Sequence, residues 1–205
     1  GSDTLRLSGH TGAVTSVAFE RYGKFILTGG EDSTAILWDA NGKFVRAITG
    51  HTDAVTSVAF SPNGKLILTA SRDKTARLWD LNGKPGQVFE EHSDWVLSAV
   101  FSPDGKSVLT GSTDKTARLR DLSGGNPRTF AGHTARVSSV AFSPGGTQVL
   151  TGSDDFKAIL WSLTGEPVDT FSGHTNYITS VAFSPKTPED PAGGKYVLTG
   201  SEDSS

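Results

Sequence analysis

Five histidines divide the chain into units of equal length. They are His10, His51, His92, His133 and His174, and each lies 41 residues after the one before it. Other residues keep the same register: a tryptophan follows three of these histidines by 28 residues, and an aspartate follows four of them by 22. A sequence that repeats with a period of about 40 residues folds into similar supersecondary units packed side by side.

Each unit carries the pattern of four short strands. In the second unit, residues 55–60 and 66–71 are rich in β-branched and aliphatic side chains and flank a Pro-Asn-Gly turn. A third strand is predicted from Thr75 to Trp79, and a fourth begins at Gln87. No segment has a sustained 3.6-residue period, so we predict essentially no helix. Four antiparallel strands per unit are typical of a propeller blade. The sequence therefore predicts an all-β propeller of about five blades.

The repeat resembles the WD40 family, because Gly-His near the start of a unit and Trp-Asp near its end recur in register over nearly the whole chain. We predict one propeller segment, 1–205, with repeats at about 9–49, 50–90, 91–131, 132–172 and 173–205. The resemblance implies that residues 3–8, around Leu5, form an outer strand ahead of the first repeat.

The fifth repeat departs from the others. Its first hairpin holds seven additional residues, and the sequence ends before a tryptophan-bearing third strand. We therefore expect an incomplete ring. Two alternatives remain: a fragment of a longer propeller, or a ring that a second chain completes.

Histidine, hydroxyl and aspartate recur in every unit, which is the inventory of a nucleophilic triad. An active site is needed only once, however, and here the same set repeats at constant spacing. The resemblance to WD40 proteins implies instead a buried hydrogen-bond chain, or tetrad, within each blade. The tetrads are His10, Thr28, Asp32 and Trp38; His51, Thr69, Asp73 and Trp79; and His133, Thr151, Asp155 and Trp161. We predict no catalytic residue, no metal site and no cofactor.

The third unit breaks this pattern, because Arg120 occupies the tryptophan position. The set of His92, Thr110 and Asp114 is therefore in doubt. Either one blade has drifted, or Arg120 pairs with Asp114. On this basis we expect Arg120→Trp to be neutral or stabilising.

Positions that vary between units are candidates for partner binding, since repeated positions serve the scaffold. Three residues after each histidine the chain has Ala13, Ala54, Trp95, Arg136 and Tyr177. The resemblance places this position on the narrow face near the central channel, and Trp, Tyr and Arg are enriched in binding hot spots. A second variable position precedes the turn aspartate, and Leu97 replaces a repeated hydroxyl. The predicted partner-binding residues are Trp95, Leu97, Arg136, Tyr177, Arg72 and Asp154.

The sequence favours a non-catalytic protein–protein interaction scaffold. The alternative is a carbohydrate or small-ligand binding propeller that uses Trp95 and Tyr177. The net charge of −3 is spread without a basic block, so we expect no nucleic-acid partner, and the apolar runs are too short to cross a membrane. The chain has no cysteine, which fits a reducing compartment, and we predict the cytoplasm. Unpaired terminal strands near Leu5 and Leu198 are expected to promote self-association.

Overall fold

The computed structural model describes residues 5–203, which form eighteen β-strands and contain no helix. The first two blades contain β1 (Val14–Phe19), β2 (Phe25–Gly30), β3 (Ala35–Asp39), β4 (Phe44–Ile48), β5 (Val55–Phe60), β6 (Leu66–Ser71), β7 (Ala76–Asp80) and β8 (Pro85–Phe89). The others contain β9 (Val96–Phe101), β10 (Ser107–Ser112), β11 (Thr116–Asp121), β12 (Arg128–Ala131), β13 (Val137–Phe142), β14 (Gln148–Ser153), β15 (Ala158–Ser162), β16 (Pro167–Phe171), β17 (Ile178–Phe183) and β18 (Val197–Ser201).

Four sheets each hold four antiparallel strands in sequence order, and the fifth holds β17 and β18. The prediction of an all-β series of propeller blades is therefore confirmed, and so is the absence of helix among residues 5–203. The second strand of each complete blade is the most buried, with five of its six residues buried, and it contacts the first strand of the next blade. The first strands of successive blades contact one another and line the inner side of the arc.

Blades pack through a repeated contact between two branched side chains and a glycine. A Cβ added to Gly29 would lie 2.8 Å from both Val55 and Val58 of the next blade. Gly111 and Gly152 meet the corresponding side chains of the blades that follow them at 2.6–2.9 Å. The second blade has the fully buried Ala70 at the equivalent position, so the close-packed contact requires a small residue. The small residue is thus part of the blade interface.

Serine hydroxyls add a polar link at every junction between blades. Ser16, Ser57, Ser98 and Ser139 each accept a hydrogen bond from a backbone N–H 42 residues further on, at 3.1–3.3 Å. Each donor belongs to the first strand of the next blade. These bonds hold the first strands side by side, and the repeat pattern did not predict them.

The predicted outer strand at residues 3–8 is not seen where the structure describes it. Residues 5–8 adopt no strand, while residues 3 and 4 lie outside the described part of the chain. A strand needs a paired neighbour, and within residues 5–203 the fifth sheet contains no third strand for this segment to join. Leu7 nevertheless packs against Ile26, Ile36 and Trp38 of the first blade, as an outer-strand side chain would.

Candidate functional site

The first blade contains a continuous chain of side-chain hydrogen bonds. Trp38 Nε1 donates to Thr28 Oγ1 at 2.9 Å, and His10 Nε2 lies 2.8 Å from the same oxygen. His10 Nδ1 lies 2.9 Å from Asp32 Oδ2. If Thr28 donates to Nε2, the histidine donates through Nδ1 to the carboxylate, and every polar group in the chain is satisfied.

The second and fourth blades repeat this arrangement. Trp79 and Trp161 each donate to a threonine hydroxyl at 2.9 Å, and His51 and His133 each lie 2.7 Å from that hydroxyl. His51 is 2.7 Å from Asp73, and His133 is 2.9 Å from Asp155. The threonines are completely buried, so neither hydroxyl is accessible to a substrate. This geometry suits a structural role.

The tetrad carboxylates are held ionised. Burial alone would raise the pKa of the Asp73 carboxyl, but hydrogen bonds from His51, Thr75 and the backbone of Thr52 hold that pKa well below its usual range. The pKa values of Asp32, Asp114 and Asp155 are lowered by the same type of bonding, against the same effect of burial. Each aspartate thus joins the turn that contains it to the histidine at the start of its unit.

The third blade keeps most of its tetrad despite the loss of the tryptophan. His92 lies 2.8 Å from both Thr110 and Asp114. Arg120 instead donates to Glu91 and to the carbonyl of Gly125. The alternative in which Arg120 pairs with Asp114 is therefore wrong, since the aspartate is occupied by His92 and the arginine by Glu91.

Glu91 explains why the arginine is accommodated. The other four units have glycine at this position, immediately before the histidine. A Cβ added to Gly9, Gly50 or Gly132 would lie 2.8–2.9 Å from the Cη2 atom of its blade's tryptophan. Glycine is thus required by the indole ring, and the third blade has exchanged a Gly–Trp contact for a Glu–Arg ion pair. Glu91 is the single break in the Gly-His pattern, and this break could have indicated the ion pair with Arg120 from the sequence.

The variable positions lie together at one end of the blades. In each unit the residue before the turn aspartate donates its backbone N–H to the carbonyl of the residue three after the histidine, as Thr113 does to Trp95 at 2.9 Å and Asp154 to Arg136 at 3.1 Å. We call the side chains of Arg72, Trp95, Arg136, Asp154, Phe156 and Tyr177 the loop face. The Arg72 guanidinium lies over the Trp95 ring, 4.9 Å from its centroid, and joins the second blade to the third.

The fourth and fifth blades contribute an ion pair and an aromatic pair to the loop face. Arg136 Nε donates to Asp154 Oδ2 at 2.5 Å, and the ring centroids of Phe156 and Tyr177 lie 5.8 Å apart. Phe156 has a φ of 70°, where a bulky side chain is uncommon. Phe156 was not among the predicted contact residues, although the equivalent positions hold the polar residues Ser33, Lys74 and Lys115.

Leu97 differs from the other predicted contact residues because it lies within β9 and is half-buried. It occupies a β-bulge whose equivalent residues in other blades carry hydroxyls. Thr56 donates from this position to the carbonyl of Val96 in the next blade at 2.6 Å, and Thr15 and Ser138 make the same type of bond. Leu97 has no hydroxyl, so the third and fourth blades lack this hydrogen bond.

A large cavity of about 500 Å³ lies at the opposite end of the first strands. Its lining is mainly apolar and includes Phe60, Phe101, Phe142, Phe183 and three hairpin prolines. Phe60 is only half-buried and faces this cavity.

Radially repeated four-stranded sheets with this hydrogen-bond chain define the class of β-propeller blades. The chain belongs to the WD40 family: the family model described as WD domain, G-beta repeat, matches residues 1–39, 42–80, 83–121, 124–162 and 165–205. WD40 repeats are generally non-enzymatic scaffolds for protein–protein interaction. No curated protein matches the chain.

Two features are absent from residues 5–203. No helix among them is long and apolar enough to cross a bilayer. No group of three or more His, Cys, Asp or Glu side chains within the same range is arranged to hold a metal ion.

Proposed function

We propose that this chain is a non-catalytic interaction scaffold whose loop face binds a partner protein in a reducing compartment such as the cytoplasm. The observation that carries the proposal is the set of variable side chains paired across blades: Arg72 with Trp95, Arg136 with Asp154, and Phe156 with Tyr177. Repeated residues maintain the blades, whereas these differ from unit to unit. Leu97 follows Trp95 by two residues and is included in the proposed contact surface as a half-buried apolar member.

Two exposed aromatic rings of the loop face are held in position before any partner binds. Trp95 and Tyr177 are exposed, yet each ring is already held by a neighbour, so docking costs little side-chain entropy. The positive φ at Phe156 is shared by the equivalent residues Ser33, Lys74 and Lys115, so the turn belongs to the scaffold and only the aromatic side chain is particular to this blade. Arg136 is engaged by Asp154, so a partner meets this ion pair and not an isolated arginine.

The alternative, a carbohydrate or small ligand stacked on Trp95 and Tyr177, has less support. The Arg72 guanidinium covers one face of the Trp95 ring, and Phe156 lies against Tyr177. The two rings also belong to the third and fifth blades, which are not neighbours. A glycan array tests this alternative directly, since strong binding lost in both Trp95→Ala and Tyr177→Ala would favour it.

Trp95→Ala is expected to weaken partner binding by about thirtyfold, because truncating a central aromatic hot spot costs roughly 2 kcal/mol. Linear peptides selected from a displayed library against the whole chain provide the probe, and calorimetric titration provides the affinity. The fold should persist, since the second unit has Ala54 at this position. Arg136→Ala and Tyr177→Ala should weaken the same peptides.

Lys65→Ala and Lys106→Ala are the matched controls, because both residues lie in hairpins at the opposite end of the blades, beside the large cavity. They should change affinity by less than about twofold. If they reduce binding more than Trp95→Ala does, the partner binds at the cavity end and the loop face is wrongly assigned.

We also propose that the chain self-associates head to tail, through the faces of the first and fifth blades. Val17 is 67% exposed, whereas its equivalent Val58 is 6% exposed beneath the preceding blade. At the other end, a Cβ on Gly200 would meet only Ser180 of its own blade, at 3.9 Å, although its equivalents each receive two branched side chains. Within the chain, neighbouring blades are joined by a contact between a glycine and branched side chains. Val17 on the first blade and Gly200 on the fifth blade are equivalent to the two sides of that contact.

Val17→Asp is expected to suppress this association, because it would place a charge in an apolar contact. Sedimentation over a wide concentration range should show the parent mass increasing and the variant remaining a monomer. Val168→Asp is the control, since Val168 is 54% exposed on the outer strand β16. A parent chain that stays monomeric, or equal effects of the two substitutions, would contradict the proposal.

A further inference from the structure

The loop face carries an arginine that is held in place but binds no hydrogen-bond acceptor. The Arg72 guanidinium lies over the Trp95 ring, with 4.9 Å between its central carbon and the ring centroid. Stacking uses the flat face of the guanidinium, whereas its five N–H donors lie in the plane and point outward from the edge. Within residues 5–203 none of these donors makes a hydrogen bond, and the carboxylate of Glu31 is 3.9 Å away.

Arg136 differs from Arg72 because its guanidinium is already occupied. Its Nε donates to Asp154 Oδ2 at 2.5 Å within the fourth blade. The Glu31 carboxylate, by contrast, belongs to the blade before Arg72, is 48% exposed and lies beyond hydrogen-bonding distance. The donors of Arg72 are therefore open to a group from outside the chain.

The groups at this position define the chemistry of a ligand. The indole N–H of Trp95 also makes no hydrogen bond among the described residues, so the pair offers donors only. An ionised carboxylate accepts hydrogen bonds and donates none, and two parallel N–H···O bonds from an arginine match its geometry. Trp95 remains 39% exposed beside the guanidinium, so an apolar side chain next to the carboxylate would gain contact area on the ring.

The local charges favour a single negative charge over a double one. Arg72 donates its backbone N–H to the carbonyl of Ala54, which follows Asp53, and Asp94 directly precedes Trp95. A phosphate group carries a charge of about −1.5 to −2, so these two aspartates would repel it more strongly than they repel a side-chain carboxylate. The charges therefore fit an acidic side chain better than a phosphorylated one.

On the basis of the proposed function of the loop face, we propose that Arg72 and Trp95 bind a glutamate or aspartate side chain of the partner protein that lies next to an apolar residue. The guanidinium binds the carboxylate, and the indole covers the apolar residue. Glu31 is displaced, because the partner's carboxylate forms the closer contact. Since stacking already fixes the guanidinium, little side-chain entropy is lost on binding. The pair thus selects the sequence of the partner, whereas the rest of the loop face supplies contact area.

Two displayed nonapeptide libraries test this inference, and they differ only in the central residue, which is fixed as glutamate or as glutamine. We expect the glutamate library alone to yield peptides that bind the whole chain and lose affinity for Trp95→Ala. In calorimetric titration, changing the glutamate of such a peptide to glutamine should weaken binding at least about tenfold. Arg72→Gln in the protein should abolish this difference, and the fold should persist because the third unit has Thr113 at this position.

Two further variants separate the carboxylate contact from general charge effects. Glu31→Gln should strengthen the glutamate peptide about two- to fivefold, since it removes a competing carboxylate. Arg136→Gln is the matched control, because it removes the same charge from an arginine that Asp154 already binds. It should weaken the glutamate and glutamine peptides equally and leave the preference for glutamate unchanged.

The possible failures are distinguishable. Equally tight loop-face binders from the glutamine library, or a preference for glutamate that survives Arg72→Gln, would overturn the carboxylate site but leave the loop face as a docking surface. Tighter binding of a peptide with central phosphoserine would overturn it in favour of a phosphorylated partner. If neither library yields binders, or if the binders are unaffected by Trp95→Ala, both the carboxylate site and the proposed function are wrong.

Discussion

Trp79→Ala is expected to lower the free energy of unfolding by about 3–5 kcal/mol, the usual cost of truncating a buried aromatic side chain. Trp79 is almost completely buried in a cluster that combines Leu27 and Leu37 of the first blade with Val55 and Ile67 of the second. Its removal would open a cavity at the junction of two blades, and the Thr69 hydroxyl would lose the donor that lies 2.9 Å away.

Trp79→Phe separates packing from hydrogen bonding, because phenylalanine fills part of the space but provides no N–H. Its cost should be smaller than that of Trp79→Ala. Denaturant unfolding, followed by fluorescence and circular dichroism, measures both variants, and coincident transitions would show that the blades unfold together. If Trp79→Ala unfolds at the parent midpoint, the indole ring does not stabilise the blade junction.

The blades and the tetrads were predictable because each depends on residues that recur in one local frame. His51, Thr69, Asp73 and Trp79 all belong to a single unit, and that unit folds into the sheet in which they meet. Strand pattern and turn chemistry also act over a few residues, which is why the predicted bounds of β5 and β6 match the structure.

The contacts between blades were not predictable in the same way. The hydroxyl of Ser57 bonds to the backbone of Ala99, 42 residues away, and nothing within either unit marks the pairing. The partners of exposed residues were missed for a related reason. Asp154 neutralises Arg136 from a different turn, and Phe156 reaches Tyr177 across a blade boundary. Such pairings require the relative placement of units, which a repeat period alone does not provide.

Arg120→Trp is expected to destabilise the chain by about 1–3 kcal/mol, the usual cost of overpacking a well-filled site. This reverses the expectation from the repeat pattern alone. In the other blades the indole leaves only 2.8–2.9 Å for a Cβ at the preceding glycine position. Glu91 carries that Cβ and a longer side chain, so the ring could enter only if the strand moved.

Glu91→Gly combined with Arg120→Trp should restore the free energy of unfolding to the parent value or above. The double variant removes the Arg120 Nε, which is buried without a hydrogen-bond partner among the described residues, and it provides an indole donor for Thr110. Glu91→Gly alone should be destabilising, since it leaves Arg120 without its carboxylate and adds the chain entropy of glycine. The two substitutions should therefore couple by about 1–3 kcal/mol.

A double-mutant cycle by denaturant unfolding measures this coupling, with Glu90→Gly in place of Glu91→Gly as the control for glycine entropy, because Glu90 is exposed and adjacent. Combined with Arg120→Trp, the control should show no recovery. Glycine at position 91 is not required by the backbone, since Glu91 is absent from the non-glycine residues with positive φ. Recovery specific to Glu91→Gly would therefore identify the indole contact as a reason for glycine before the histidines of the three tryptophan-bearing blades. If the effects of the two substitutions on the free energy of unfolding are additive, the residues at positions 91 and 120 contribute to stability independently of each other.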